Sequence, residues 1–148
     1  MTERFVVATD GSSPSDAAVD LALSLASKHG AEVLFIHAID DPAIFAATAN
    51  MPFDPTPTLR ALESSGDKLL NAAAERANLE HIHAETRLMH GDPVDAILSG
   101  AREWNADLIV IGTHGRRGLP HFFLGSTAER VLQRSFLPVL VTKQPAKQ

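Results

Sequence analysis

Short apolar segments alternate along this sequence with segments whose apolar residues recur at helical spacing, and this alternation constrains the fold more than any other feature. Four of the apolar segments are rich in β-branched residues, which predicts strands covered on both faces. These segments are Phe5–Ala8, Glu32–Ala38, Asp107–Ile111 and Pro138–Thr142. A further segment, His81–Met89, alternates apolar and polar residues, which is typical of an edge strand with one face in water. With the helical segments between them, the order is β-α-β-α-β-α-β-α-β.

That order predicts an α/β fold, an open five-stranded parallel sheet with helices on both faces and right-handed crossovers. With the alternating third strand at one edge, the expected strand order is 3-2-1-4-5, and the sheet reverses direction between strands 1 and 4. The 148 residues are expected to form one domain, 1–148, which is long enough to bury a core. Within it, 41–57 carries four prolines and no sustained period, and this segment is predicted to be irregular.

Helix starts are recognisable from their capping residues. Ser13 is expected to cap the first helix ahead of Pro14, and Asp92 is expected to cap the helix before the fourth strand. Ser126-Thr127-Ala128-Glu129 has the S-x-x-E pattern of a capping box. A capping box would explain Ser126 without any ligand.

Composition excludes several classes of function. The chain has no cysteine, so disulfides and thiolate metal sites are impossible, and its formal net charge of -5 argues against an extended nucleic-acid surface. No segment has the length of a membrane-spanning helix and the first residues do not resemble a signal peptide, so we expect no membrane insertion and a cytoplasmic protein. His81 and His83 share a predicted strand face without a third ligand, and no metal site is predicted there.

The stretch 109–127 is the segment in which we expect a phosphate-binding loop. It follows a strand, contains the spacing Gly112-x2-Gly115-x9-Gly125-Ser126 and has no acidic residue. Glycines let backbone amides approach an anion closely, and a following helix N-terminus adds unpaired donors and the positive end of its dipole. An isolated glycine cluster is also typical of a plain surface turn. The predicted strand reversal favours a phosphate site, because it brings this stretch beside Thr9-Asp10-Gly11.

Common nucleotide-binding patterns are absent. The glycines do not form G-x-G-x-x-G, and no lysine lies in the loop, so neither a dinucleotide fingerprint nor a P-loop ATPase is indicated. The third strand ends in Met89-His90-Gly91, without the acid that a phosphate-receiving signalling domain would need. An enzyme that cleaves ATP at the α-phosphate would need a glycine- and serine-rich loop after the first strand, and Asp10-Gly11-Ser12-Ser13-Pro14 matches this poorly.

The spacing that is present resembles that of the universal stress protein family, whose ATP-binding members carry G-x2-G-x9-G-[ST] at this place. The resemblance extends through Val7-Ala8-Thr9-Asp10-Gly11-Ser12, His37-Ala38-Ile39-Asp40, Gly91-Asp92-Pro93 and Pro138-Val139-Leu140-Val141. It implies a Rossmann-like fold similar to that of the adenine nucleotide α-hydrolases. It also implies ATP as the cofactor and leaves open whether Mg2+ accompanies it.

The resemblance further implies a role for individual residues. The implied phosphate contacts are Gly112, Gly115, Gly125 and Ser126, with Arg116, Arg117 and Thr127 close by and Thr113 keeping a hydroxyl. The implied ribose and adenine contacts are Thr9, Asp10, Gly11 and the backbone of Ala38. These roles agree with the chemistry of the residues. Backbone amides can donate to phosphates, a carboxylate can accept from ribose hydroxyls, and an apolar strand end can contact the base.

The function implied is that of an ATP-binding universal stress protein, a nucleotide-dependent regulator of the stress response. It is at most a slow ATPase, because no general base with a supporting partner and no Walker-type lysine is evident. The resemblance also implies a homodimer formed by pairing the last strands, Val139 to Thr142. An exposed apolar edge strand is consistent with this, because unpaired edges recruit partners. A dimeric interaction module that binds no nucleotide is the alternative, and the intact glycine set is the feature that distinguishes the two.

Overall fold

The computed structural model describes residues 2–113 and 124–143 and shows a five-stranded parallel sheet covered by helices. The strands are β1 (Arg4–Ala8), β2 (Glu32–Ile39), β3 (Ala84–His90), β4 (Leu108–Gly112) and β5 (Val139–Thr142). The helices are α1 (Ser13–His29), α2 (Asp41–Thr48), α3 (Thr56–Leu79), α4 (Pro93–Glu103) and α5 (Ser126–Arg134). The sheet order is β3-β2-β1-β4-β5, which confirms the predicted order and the α/β fold class.

Two apolar cores, one on each face of the sheet, hold the helices in place. Val7 and Phe35 pack towards α1 and α3, whereas their neighbours Val6 and Leu34 pack towards α4 and α5. Successive residues of a strand point to opposite faces, so both neighbours are buried only where helices cover both sides. This is why the central strands are continuously apolar in the sequence. None of the helices in the described ranges has the length and apolar content needed to cross a membrane.

The segment 41–57 contains a helix that the sequence did not predict. α2 occupies Asp41–Thr48, where irregular chain was expected. None of its residues is buried, so it lacks the apolar stripe from which helices are recognised. Polar contacts hold its start instead: Asp40 Oδ1 accepts from the Ala43 amide at 3.1 Å, and Asp41 Oδ1 accepts from the Gly91 amide at 3.0 Å.

The third strand lies at the edge of the sheet, as predicted, but begins at Ala84 rather than at His81. His81 has a left-handed φ of 59° and belongs to the turn that follows α3. His81 and His83 therefore do not share a strand face. Across 2–113 and 124–143, no group of three or more histidine, aspartate or glutamate side chains is arranged to hold a metal ion.

The helix caps agree with the sequence in one case and differ in two. Asp92 caps α4, as predicted, by accepting from the amides of residues 94 and 95. The cap of α1 is Ser12 rather than Ser13, and its Oγ accepts from the Ser15 amide at 3.3 Å. The predicted capping box at the start of α5 is wrong, because the helix begins at Ser126 and its cap is the preceding glycine. The capping residue directly precedes the first helical residue, and Ser126 is already helical.

Candidate functional site

A cleft of about 250 Å³ opens at the carboxyl ends of β1, β2 and β4. Residues from the beginnings of α1, α4 and α5 also line it. The cleft lies where the sheet order reverses between β1 and β4, which is the place where open α/β sheets bind ligands.

One wall of the cleft is apolar. It is formed by Ala8, Ile36 and Ile111 at the ends of three strands, together with Ile97 of α4. The three isoleucines are at most 5% exposed and belong to the core beneath α4 and α5. An apolar surface built on the rigid core suits a planar aromatic group such as a nucleobase.

A second wall is polar and follows the end of β1. Ser15 Oγ donates to Thr9 Oγ1 at 2.9 Å and accepts from the Asp10 amide at 3.0 Å. Asp10 Oδ1 accepts from the Ser12 amide at 2.9 Å, and the intervening Gly11 has a φ of +81°, which favours glycine. These bonds hold the loop in one conformation and leave Asp10 at the surface of the cleft.

Gly112 ends β4 at the point where α1 begins. A Cβ atom at this position would lie 2.2 Å from the Pro14 carbonyl oxygen and 2.9 Å from the Ser15 nitrogen. Both are backbone atoms, which cannot rotate away as the end of a side chain can. The packing of α1 on the sheet therefore requires glycine here, independently of any ligand.

The N-terminus of α5 meets the cleft through Thr127 in its first turn. The first amides of an α-helix have no acceptor within the helix, and this end of the helix dipole is positive. In the part of the chain that the structure describes, no side chain caps α5. The first turn of this nine-residue helix thus brings hydrogen-bond donors and positive potential to the cleft.

Asp92 links α4 and α5, two of the helices that begin beside the cleft. Its carboxylate pairs with Arg130 of α5 at 3.1 Å. Burial alone would raise the pKa of Asp92, but the Asp95 amide, the Arg130 guanidinium and the Val94 amide outweigh this effect and hold the pKa below its usual value. Asp92 is therefore charged at neutral pH and maintains the spacing of the two helix starts.

The structure brings part of the predicted site together. The predicted residues that line the cleft are Thr9, Asp10, Ala38, Gly112 and Thr127. Four further predicted residues are chain neighbours of this lining: Gly11, Thr113, Gly125 and Ser126. Thr113 is buried, and its amide donates to the Thr142 carbonyl at 2.9 Å. Gly115, Arg116 and Arg117 lie outside the described residues.

Sequence reasoning missed two groups of residues in this cleft. Ser15 and His37 support the polar wall, and Pro93 and Ile97 bring α4 to it. The α4 contribution follows from topology, because a right-handed crossover places the start of each helix at the carboxyl edge of the sheet. The Ser15 and His37 contributions depend on side-chain hydrogen bonds, for which the sequence carries no periodic signal.

Comparisons with known proteins agree on one family. The model of the universal stress protein family matches residues 1–143. A universal stress protein of Methanocaldococcus jannaschii is 34% identical over 146 residues, which cover 99% of this chain and 85% of the relative. A universal stress protein solved in complex with cAMP is 29% identical with a TM-score of 0.66, covering 97% of this chain and 98% of that one. A second M. jannaschii universal stress protein shares the fold, with a TM-score of 0.82 at 22% identity and 99% of both chains covered.

Proposed function

Because this chain belongs to the universal stress protein family, we propose that its cleft binds ATP and that the protein acts as a nucleotide-dependent regulator of a stress response. The observation that carries this proposal is that an apolar wall and the N-terminus of α5 meet in one cleft. A nucleotide needs both, an apolar surface for its base and clustered donors for its phosphates. The relative solved with cAMP supports an adenine nucleotide as the class of ligand.

In the proposed complex the adenine lies against the isoleucine wall beside the backbone of Ala38. The ribose hydroxyls reach the polar wall, where the Asp10 carboxylate is an acceptor. The phosphates extend towards the end of β4 and the first turn of α5, where Gly112, Ser126 and Thr127 lie. The motif of the family further implies phosphate contacts for Gly115, Arg116, Arg117 and Gly125, and Gly11 and Thr113 are proposed to support the loops after β1 and β4.

The proposed role is binding, with hydrolysis at most slow. The cleft lining within the described residues contains one carboxylate, Asp10, and no lysine to stabilise a transferring phosphoryl group. Asp10 Oδ1 already accepts from a backbone amide, which is the geometry of a structural carboxylate. A protein of this kind responds to which nucleotide occupies the cleft, and it does not need rapid turnover.

Calorimetric titration with ATP, ADP, AMP and GTP, with and without Mg2+, tests the proposed ligand. We expect ATP to bind with a Kd tighter than about 1 mM, and we expect AMP to bind more weakly because it makes fewer contacts with the start of α5. GTP is expected to bind more weakly than ATP. If no adenine nucleotide binds below about 1 mM, ATP binding is excluded and an interaction module that binds no nucleotide becomes the better description.

We also propose that two copies of the chain pair through β5. In the sheet that the structure describes, β5 is an edge strand with half-buried Val139, Leu140 and Val141. The Pro138 carbonyl accepts from the Ile109 amide of β4, and the Thr142 carbonyl accepts from the amide of Thr113, which directly follows β4. The backbone groups of the alternate residues Val139 and Val141 therefore point to the open edge. An open edge that carries apolar side chains is suited to pair with another strand.

Val141→Pro is expected to separate such a dimer without unfolding the chain. The Val141 amide points away from β4, so proline at this position removes no hydrogen bond within the sheet. Strands tolerate proline at edge positions of this kind. Light scattering after gel filtration should then report a monomer for the variant and a dimer for the wild type. Leu140→Pro is the matched control, because the alternate residue donates towards β4 and its loss should lower stability instead. A wild type that is monomeric at about 100 µM, well above the Kd of a stable dimer, would exclude the pairing.

A further inference from the structure

His37 connects three elements at the edge of the cleft. It lies in β2, two residues before the end of the strand, and its Nδ1 atom is 2.8 Å from the carbonyl oxygen of Thr9. On its other side the ring packs against α3, where a Cβ atom at Gly66 would lie only 2.7 Å from His37 Cδ2. Leu88 of β3 closes the same space, with Cδ1 at 2.8 Å from that Cβ position. The ring thus has little room to turn.

The hydrogen bond of His37 determines which nitrogen carries the proton. A carbonyl oxygen only accepts, so Nδ1 must be the donor in the bond to Thr9. The Nε2 atom then faces α3, at 3.3 Å from the Cβ position of Gly66. His37 therefore acts on the loop after β1 as a hydrogen-bond donor held in one orientation.

The bond to His37 completes the support of a single peptide unit, the one that joins Thr9 to Asp10. The carbonyl of this unit accepts from His37, and its amide, which belongs to Asp10, donates to Ser15 Oγ at 3.0 Å. The preceding amide, that of Thr9, donates to the Ile36 carbonyl at 2.9 Å and extends the pairing of β1 with β2. The backbone that carries the Asp10 side chain is consequently held from α1 and from β2 at once.

We propose that His37 is a positioning residue for the adenosine part of the nucleotide, acting through the Thr9–Asp10 peptide. This role presupposes the ATP binding proposed above and names a residue that determines its strength. Without the donor on His37, the Thr9 carbonyl loses this partner while the bonds to Ser15 and Ile36 remain, so Thr9 and Asp10 become less tightly ordered at the cleft. A preorganised site binds more tightly because the ordering of its groups does not have to accompany binding.

His37→Leu and His37→Asn test this role as a pair. Leucine keeps the apolar contact with α3 but has no donor, and we expect ATP and AMP to bind about tenfold more weakly, the factor that corresponds to one lost hydrogen bond. Asparagine can place an N–H group where Nδ1 stands, since both atoms are attached to Cγ. His37→Asn is therefore expected to restore most of the affinity that His37→Leu loses.

Val33→Ala is the matched control for a purely structural effect. Val33 is fully buried in the same strand, on the same face as His37, four residues earlier, and it does not line the cleft. The substitution should lower the unfolding midpoint at least as much as His37→Leu while leaving the Kd for ATP within about twofold of the wild-type value.

The outcomes distinguish this role from ATP binding itself. If wild-type protein binds no nucleotide, the proposed function fails. If the wild type binds ATP and His37→Leu binds it equally well, ATP binding stands and the positioning role is wrong. Two further results would limit His37 to a role in stability and would also overturn the proposal. One is that His37→Leu and Val33→Ala lower the ATP affinity by the same factor. The other is that His37→Asn restores none of the affinity that His37→Leu loses.

Discussion

Replacing Gly112 with alanine is expected to lower the free energy of unfolding by about 3 kcal/mol or more, because the added methyl group meets backbone atoms rather than a movable side chain. The added Cβ atom would lie 2.2 Å from the Pro14 carbonyl oxygen and 2.4 Å from the carbonyl carbon. Relief requires moving the first turn of α1 away from β4. Urea unfolding, followed by the fluorescence of the single, buried Trp104, measures the change.

Gly100→Ala is the control for Gly112→Ala. The Cβ atom at Gly100 would also be close to a neighbour, at 2.5 Å, but that neighbour is Ile36 Cδ1, the end of a flexible side chain. Moving this buried methyl group costs about 1–3 kcal/mol, but alanine favours the helical conformation of α4 over glycine by about 1 kcal/mol, so we expect a net loss of about 0–2 kcal/mol, smaller than that of Gly112→Ala. A Gly112→Ala protein as stable as Gly100→Ala would show that α1 can shift at little cost and that the close approach is not required.

This comparison bears on how glycine motifs are interpreted. From the sequence, Gly112 is the first glycine of a spacing attributed to phosphate binding. The structure provides a separate reason for glycine at this position, because the backbone of α1 crosses directly above it. Loss of ATP binding in a Gly112 variant would therefore not identify a phosphate contact, since the same change displaces the polar wall of the cleft.

The strand order was predictable because it depends on patterns that survive in a single sequence. Continuous apolar runs such as Val6-Val7 and Leu34-Phe35 are typical of strands covered on both faces, and the alternating third strand indicated the edge. α2 was not predictable in the same way. It has no buried face, and its start depends on Asp41, which contacts Gly91 fifty positions later in the sequence.

The position of the cleft was predictable from topology, whereas the hydrogen bonds that line it were not. A reversal between strands 1 and 4 indicates which loops converge, and Thr9, Asp10 and Gly112 do line one cleft. Ser15 and His37 share no motif with Thr9. They meet it only because α1 and β2 pack on either side of β1. Side-chain bonds across elements become visible only when the packing is known.

Thr127→Glu is expected to weaken ATP binding by about 10- to 100-fold at low salt and to weaken adenosine binding little. The carboxylate would stand in the first turn of α5, beside the proposed phosphates, where two negative charges a few ångströms apart repel each other by a few kcal/mol. The same carboxylate interacts favourably with the positive end of the helix dipole, so stability should not fall. Affinity and stability are therefore expected to move independently, which calorimetry and thermal unfolding can measure on the same samples.

Thr127→Gln separates charge from shape in this experiment. Glutamine has the size of glutamate without its charge, so it should retain most of the ATP affinity if the phosphates lie at α5. The loss caused by Thr127→Glu should increase from AMP to ADP to ATP, because each added phosphate brings more negative charge to the helix, and it should shrink with added salt. Equal losses for glutamate and glutamine would mean that Thr127 affects the cleft only through its volume. A loss that is the same for adenosine and ATP would mean that the phosphates do not lie at α5, and it would overturn the proposed orientation of the nucleotide.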